Sequence, residues 1–227
     1  MRVLALEPPT LAGGAALLDD GRLVGESRLN IALTHSERLM LIVDRLLQDC
    51  GWEAASLDGL AVSIGPGSFT GLRVGAATAK GLALALEVPV APVPTLDALA
   101  ATLPFADAPV CPLLDARKNE VYCSRYRWTA GGMEREWDYL ALPPAAAAAR
   151  LSGPVIVLGD GVPACRPYLG HLGEGVREAD PVHSLPSPAV VGALGHVMLS
   201  AGGGIPAEQL APLYLRPSEA ELKARRA

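Results

Sequence analysis

The sequence predicts an α/β protein, on three observations. Four short apolar runs, at residues 2–6, 60–64, 110–114 and 155–158, have the length of buried strands and end at Glu7, Gly65, Asp115 and Gly159-Asp160. Segments near residues 39–47, 70–86 and 188–198 carry apolar side chains at helical spacing. Half of the 227 residues are hydrophobic and 19% are charged, which excludes a disordered chain. With 24 glycines, 20 prolines and 4% aromatics, the core is built from small aliphatic side chains between tight turns.

Taken in order, Arg2 to Leu6, Ala15 to Leu18 and Arg22 to Glu26 form a three-strand meander, with Asp19-Asp20-Gly21 as the hairpin turn between the last two. Thr34-His35-Ser36-Glu37 has the form of a capping box, and Leu39, Ile42, Val43, Leu46 and Leu47 follow at helical spacing until Gly51. Leu60 to Ile64 is a strand, Gly65-Pro66-Gly67 a turn, and a helix runs from Ser68 or Thr70 to Leu86. On that helix Arg73, Lys80 and Glu87 make a narrow polar stripe, and Gly75, Ala79 and Ala83, four apart, make a smooth ridge. The ridge fits either intramolecular core or a partner interface; arginine at Ala79 abolishes pairing with the monomer still folded in the second case.

Prolines 89, 92 and 94 mark an extended segment leaving the first half, Thr95 to Leu103 is a connecting helix, and Pro104 to Pro109 is the candidate boundary. Then come a strand at Val110 to Leu114, a polar turn at 115–119, an alternating strand from Glu120 to Tyr126, and a strand at Val155 to Leu158. Ser187-Pro188 caps a helix with Val190, Val191, Leu194, Val197 and Met198 on one face. Leu210 to Leu215 is extended, and Ser218-Glu219-Ala220-Glu221 offers a capping box for a charged tail containing Lys223, Arg225 and Arg226. Two weak self-similarities, Leu4 to Glu7 with Leu113 to Asp115 and Ala61 to Gly67 with Val155 to Gly161, hint at a duplication.

A net charge of -5 carries no footprint for a polyanion, so the chain is not expected to bind nucleic acid by itself. No signal peptide or membrane span is read, and the expectation is a soluble cytoplasmic protein. Cys50, Cys111, Cys123 and Cys165 form no CxxC, and His35, His171, His183 and His196 no HxxH, so no metal is expected. Gly65, Gly67 and Ser68, before a helix, are the best candidates for a phosphate contact. GxGxxxG misses the dinucleotide fingerprint, however, and lacks the Lys-Ser or Lys-Thr of a P-loop. Glu7, Asp115 and Asp160 sit at strand ends where carboxylates do acid–base work, but Pro8-Pro9 removes two N–H donors beside the first. No catalytic constellation is complete.

Four ordered motifs carry a resemblance. Ser63 to Gly75 (SIGPGSFTGLRVG) with Thr78-Ala79-Lys80-Gly81, His35 to Leu39, Asp115-Ala116-Arg117 through Glu120-Val121-Tyr122, and Tyr214-Leu215-Arg216-Pro217 resemble the bacterial TsaB (YeaZ) family of tRNA threonylcarbamoyladenosine biosynthesis proteins. The resemblance implies an actin-like ATPase (ASKHA) fold, as in sugar kinases and Hsp70, of two related βββαβα subdomains. These are residues 1–103 and a smaller 104–227, whose last segment can pack back on the first. It further implies a non-catalytic subunit that binds the catalytic TsaD and, with the ATPase TsaE, completes a complex acting on the adenosine beside the anticodon. tRNA is then met only through the complex, a homodimer forms through the same surface without TsaD, and ATP or ADP is held, if at all, at a subunit interface.

The helices matching the family's four-helix docking bundle are Ser36 to Cys50 and Thr70 to Leu86. The interface residues expected on them are Met40, Leu41, Arg73, Gly75, Ala76, Ala79, Lys80 and Ala83. Glu7-Pro8-Pro9-Thr10 departs from the Asp-Thr-Ser usual after the family's first strand, against nucleotide contact there. The competing expectation is an enzyme in its own right, an ASKHA-type ATPase or a glycoprotease-like peptidase, for which no site assembles.

Overall fold

The computed structural model describes residues 1–8, 12–30 and 35–216; the two capping boxes at Thr34 and Ser218 and the basic tail lie outside the described residues. The chain opens with β1 (Arg2–Glu7), β2 (Ala12–Asp19) and β3 (Arg22–Asn30), an antiparallel meander. Asp20 and Gly21 both have positive φ, 47° and 75°, the geometry that a two-residue hairpin needs to match strand twist. After α1 (His35–Asp49) come β4 (Gly59–Gly65), α2 (Phe69–Leu86), β5 (Val90–Pro94) and α3 (Thr95–Ala100). The sheet order is β3-β2-β1-β4-β5, with β4 parallel to both β1 and β5.

The proline-rich segment therefore does not leave the first half. It is that sheet's edge strand, where missing N–H donors cost least.

The second half repeats the plan. β6 (Val110–Arg117), β7 (Glu120–Cys123) and β10 (Leu140–Leu142) form the meander, followed by α4 (Pro144–Ala149), β11 (Val155–Leu158), α5 (Val162–Cys165) and β12 (Val176–Glu178). Its order, β10-β7-β6-β11-β12, matches the first sheet strand for strand. Gly65 and Gly159 end equivalent strands with φ of 113° and 108°, and β1 is the counterpart of β6, so both self-similarities fall on structurally equivalent strands. An added hairpin, β8 (Tyr126–Thr129) with β9 (Gly132–Arg135), interrupts the repeat.

A continuous strand from Glu120 to Tyr126 is not formed. At its break the Ser124 hydroxyl donates to Trp137 O (2.7 Å) and the Arg125 carbonyl accepts from Glu136 N (2.7 Å), redirecting the chain so that Tyr126 pairs with Val110.

β1 feeds two cores. Leu4 and Leu6 face α1 and α2, while Val3 and Ala5 face α6 (Pro188–Ser200), which arrives from the far end of the chain. Ser187 caps α6, accepting from Val190 N. The helix buries most of the aliphatic stripe read from sequence, Val191 wholly and Leu194 and Met198 in part, but leaves Val197 65% exposed. It turns Gly192 and Gly195 to the sheet, where a Cβ at Gly195 would lie 2.3 Å from the Ala61 Cβ. Absence of side chains there lets helix and sheet approach closely.

α3 joins the two sheets. Thr95 Oγ1 and Ser63 Oγ are 2.9 Å apart on the first side. On the second, Asp97 accepts from Tyr126 OH (2.6 Å) and Tyr139 OH (2.8 Å). Burial pushes both phenol pKa values up, and the Asp97 charge adds to it. Tyr126→Phe is expected to cost about 1.5–3 kcal/mol, the worth of a buried hydrogen bond to a charged acceptor, read as a lower urea midpoint at unchanged slope.

Candidate docking surface and interlobe crevice

The β4–α2 turn is shaped by backbone demands. Gly65 needs its positive φ, and a Cβ there would lie 2.8 Å from Leu213 O and 3.0 Å from Leu72 Cδ1. Ser68 is the N-cap of α2 and accepts from Gly71 N at 3.4 Å. Of the three phosphate candidates, Gly65 is thus covered by the chain's own C-terminal segment and Ser68 is engaged in capping, while Gly67 lies between them.

α2 separates the expected interface residues into two faces. Gly75, Ala76, Ala79 and Ala83 are buried within the chain, and a Cβ at Gly75 would fall 1.9 Å from Pro8 Cγ. The ridge is therefore intramolecular core, because Pro8 and the first sheet cover it, and arginine at Ala79 (0% exposed) probes packing rather than pairing. Arg73 and Lys80 stay at the surface, yet both hold the C-terminal segment. Arg73 lies over the Phe69 ring (4.0 Å) and donates to Tyr214 OH (3.3 Å), and Lys80 Nζ reaches Glu208 O at 3.5 Å. On α1, which packs beside α2, Met40 and Leu41 are exposed at 43% and 66%.

Sequence reasoning missed a second stripe. Thr70, Val74, Ala77, Gly81 and Leu84 recur at four, three, four and three, and at about 100° per residue they lie opposite the buried ridge. Leu84 is 56% exposed. The spacing was there to be read, but small residues on both sides of the helix gave no reason to prefer one.

The carboxyl ends of β1, β4, β6 and β11 are the usual place for ligands in parallel sheets of this kind. Asp115 and Asp160 are brought together: Asp160 Oδ1 accepts from Asp115 N (2.9 Å), and Asp115 Oδ1 accepts from Arg117 N (2.8 Å). Burial holds the Asp160 carboxyl above the usual range, opposed by that backbone donor. Arg117, Lys118 and Asn119 are consecutive left-handed residues at the hairpin tip. Glu7, by contrast, is wholly buried in the first lobe with neither carboxyl oxygen hydrogen-bonded. Burial pushes its pKa up to about 8; the Ser63 hydroxyl opposes the rise, but its well-formed bond is to Thr95. A neutral, enclosed carboxyl beside Pro8 offers nothing to a phosphate or a cation. Among the described residues no group of three His, Cys, Asp or Glu is placed to share a metal ion, and no helix is long and apolar enough to cross a membrane.

Two sheets of identical strand order, joined by α3 and flanked by helices, define a protein of the actin-like ATPase fold. A family model described as TsaD, tRNA N6-adenosine threonylcarbamoyltransferase, matches residues 30–147. The tRNA threonylcarbamoyladenosine biosynthesis protein TsaB of Escherichia coli is 32% identical over 223 residues, 95% of each chain. The chain belongs to the TsaB family. The Bacillus subtilis protein of that name is 36% identical over 135 residues, a match spanning 60% of this chain and 59% of that relative. YeaZ from Pseudomonas aeruginosa superposes with a TM-score of 0.80 at 30% identity, covering 94% of this chain and 100% of the other.

Proposed function

We propose that this chain is the non-catalytic scaffold subunit of a cytoplasmic tRNA threonylcarbamoyladenosine complex. It docks the catalytic TsaD on the exposed face of α1 and α2, works with the ATPase TsaE, and meets tRNA only through them. The observation that carries this reading is the stripe Thr70, Val74, Ala77, Gly81 and Leu84, exposed except for the half-buried Val74, beside exposed Met40 and Leu41. Its small central residues permit close helix approach, with leucines as anchors. The closed environment of Glu7 and Pro8 supports a subunit without nucleotide chemistry of its own.

Leu84→Arg and Leu41→Arg are each expected to weaken co-purification with TsaD by about thirtyfold or more, as for central interface anchors, with melting temperature unchanged. Pairing equal to wild type in both variants would remove the docking face. The same substitutions should abolish any homodimer formed without TsaD. Calorimetric titration of the isolated chain with ATP and Mg²⁺ tests the rival reading of a stand-alone ATPase, which micromolar binding would restore.

A further inference from the structure

The motif Tyr214-Leu215-Arg216 has no part in the docking face, yet it is held at both ends. After α6 the chain pairs Ile205 with Val90 and buries Ala207 and Leu210 in the first core. Leu213 N then donates to Ile64 O at 2.7 Å, and Tyr214 stacks on Phe69 with ring centroids 5.1 Å apart. Two residues later the chain has reached the other lobe. Arg216 Nη1 donates to Ala116 O at 3.2 Å and lies 2.5 Å from Glu120 Oε2, a charge pair rather than a well-aligned hydrogen bond. Ala116 and Glu120 flank the turn of left-handed residues, so Glu120 is presented from a constrained backbone.

We infer that residues 213–216 are a strap that ties the end of β4 to the end of β6 and fixes the angle between the lobes. Three residues of extended chain span at most about 10 Å, so the lobes cannot part at this point without losing either the Leu213–Ile64 bond or the Arg216 contacts. The first end is the stronger: a backbone bond holds Leu213, and an aromatic pair and the Arg73 donor hold Tyr214, whereas among the described residues the second rests on the Arg216 guanidinium. Arg216 and Glu120 are only 24% and 29% exposed, so solvent screens the pair less than a surface ion pair. Without it α3 becomes a pivot and the β6–β7 hairpin loses its outer support.

Hydrogen exchange and small-angle X-ray scattering on the full chain test the strap. In Arg216→Ala and in Glu120→Gln, amides 116–122 are expected to exchange about tenfold faster, with a larger radius of gyration and β1–β2 amides unchanged. The two changes combined should do no more than Arg216→Ala alone, which already loses both the Glu120 pair and the Ala116 contact. The exchanged pair, Arg216→Glu with Glu120→Arg, should regain protection relative to either single reversal. Arg216→Gln, which keeps most of the side-chain length, serves if the alanine variant does not fold. Wild-type exchange and scattering in these variants, additive effects, or no regain in the exchanged pair would overturn the proposal.

Discussion

Glu7→Gln is expected to stabilise the protein at alkaline pH and to leave it nearly unchanged in mild acid. In the folded chain burial raises the carboxyl from 4.5 to about 8. Between those values the folded state keeps a proton that the unfolded chain has released, so each step up in pH favours unfolding. The stability is fully present below about 4.5, falls across the window, and is lost above the folded value; at about 1.4 kcal/mol per pH unit the total is on the order of 3–5 kcal/mol. Glutamine carries no proton to lose. Urea midpoints at pH 5, 6.5 and 8.5 should therefore converge in acid and separate progressively toward pH 8.5, with the variant higher. Parallel profiles would mean that Glu7 is ionised and hydrated in the native protein.

Two glycine-to-alanine changes should move stability in opposite directions. Gly195→Ala gains about 1 kcal/mol of helix propensity, but its Cβ would sit 2.3 Å from that of Ala61, so α6 must lift from the sheet. Overpacking of this kind costs about 1–3 kcal/mol or more and outweighs the gain. At Gly81 a Cβ meets nothing within 4 Å, so alanine there keeps the propensity gain of about 1 kcal/mol. Thermal melts of the two variants check the contrast. A stabilised Gly195→Ala would show that α6 does not lie against Ala61. Gly81→Ala should also lose TsaD affinity if the exposed stripe is the docking face, separating monomer stability from pairing.

Much of the architecture is written locally. The Asp20-Gly21 turn, the ends of α2, the Ser187 cap and the glycines closing β4 and β11 each rest on a few neighbouring residues whose backbone preferences the fold keeps. The candidate site is different. Gly75, Ala79 and Ala83 on one side of α2, and Ala77 and Gly81 on the other, are chemically alike, and what separates them is Pro8, nearly seventy positions earlier. Likewise Val197 looks like core until Gly195 is seen to need contact with Ala61. The strand expected through Tyr126 fails because Trp137 and Glu136, on a later segment, take the hydrogen bonds of Ser124 and Arg125.

Periodicity, caps and turn residues thus established the α/β class and the order of most elements, since these depend on interactions within a few residues, and the family likeness came from four ordered motifs read as a resemblance. The covered face of each small-residue helix, the isolation of Glu7 and the passage of Tyr214 to Arg216 between the lobes came only with the assembled chain. Burial is a property of two surfaces, and here the second always comes from a distant part of the sequence.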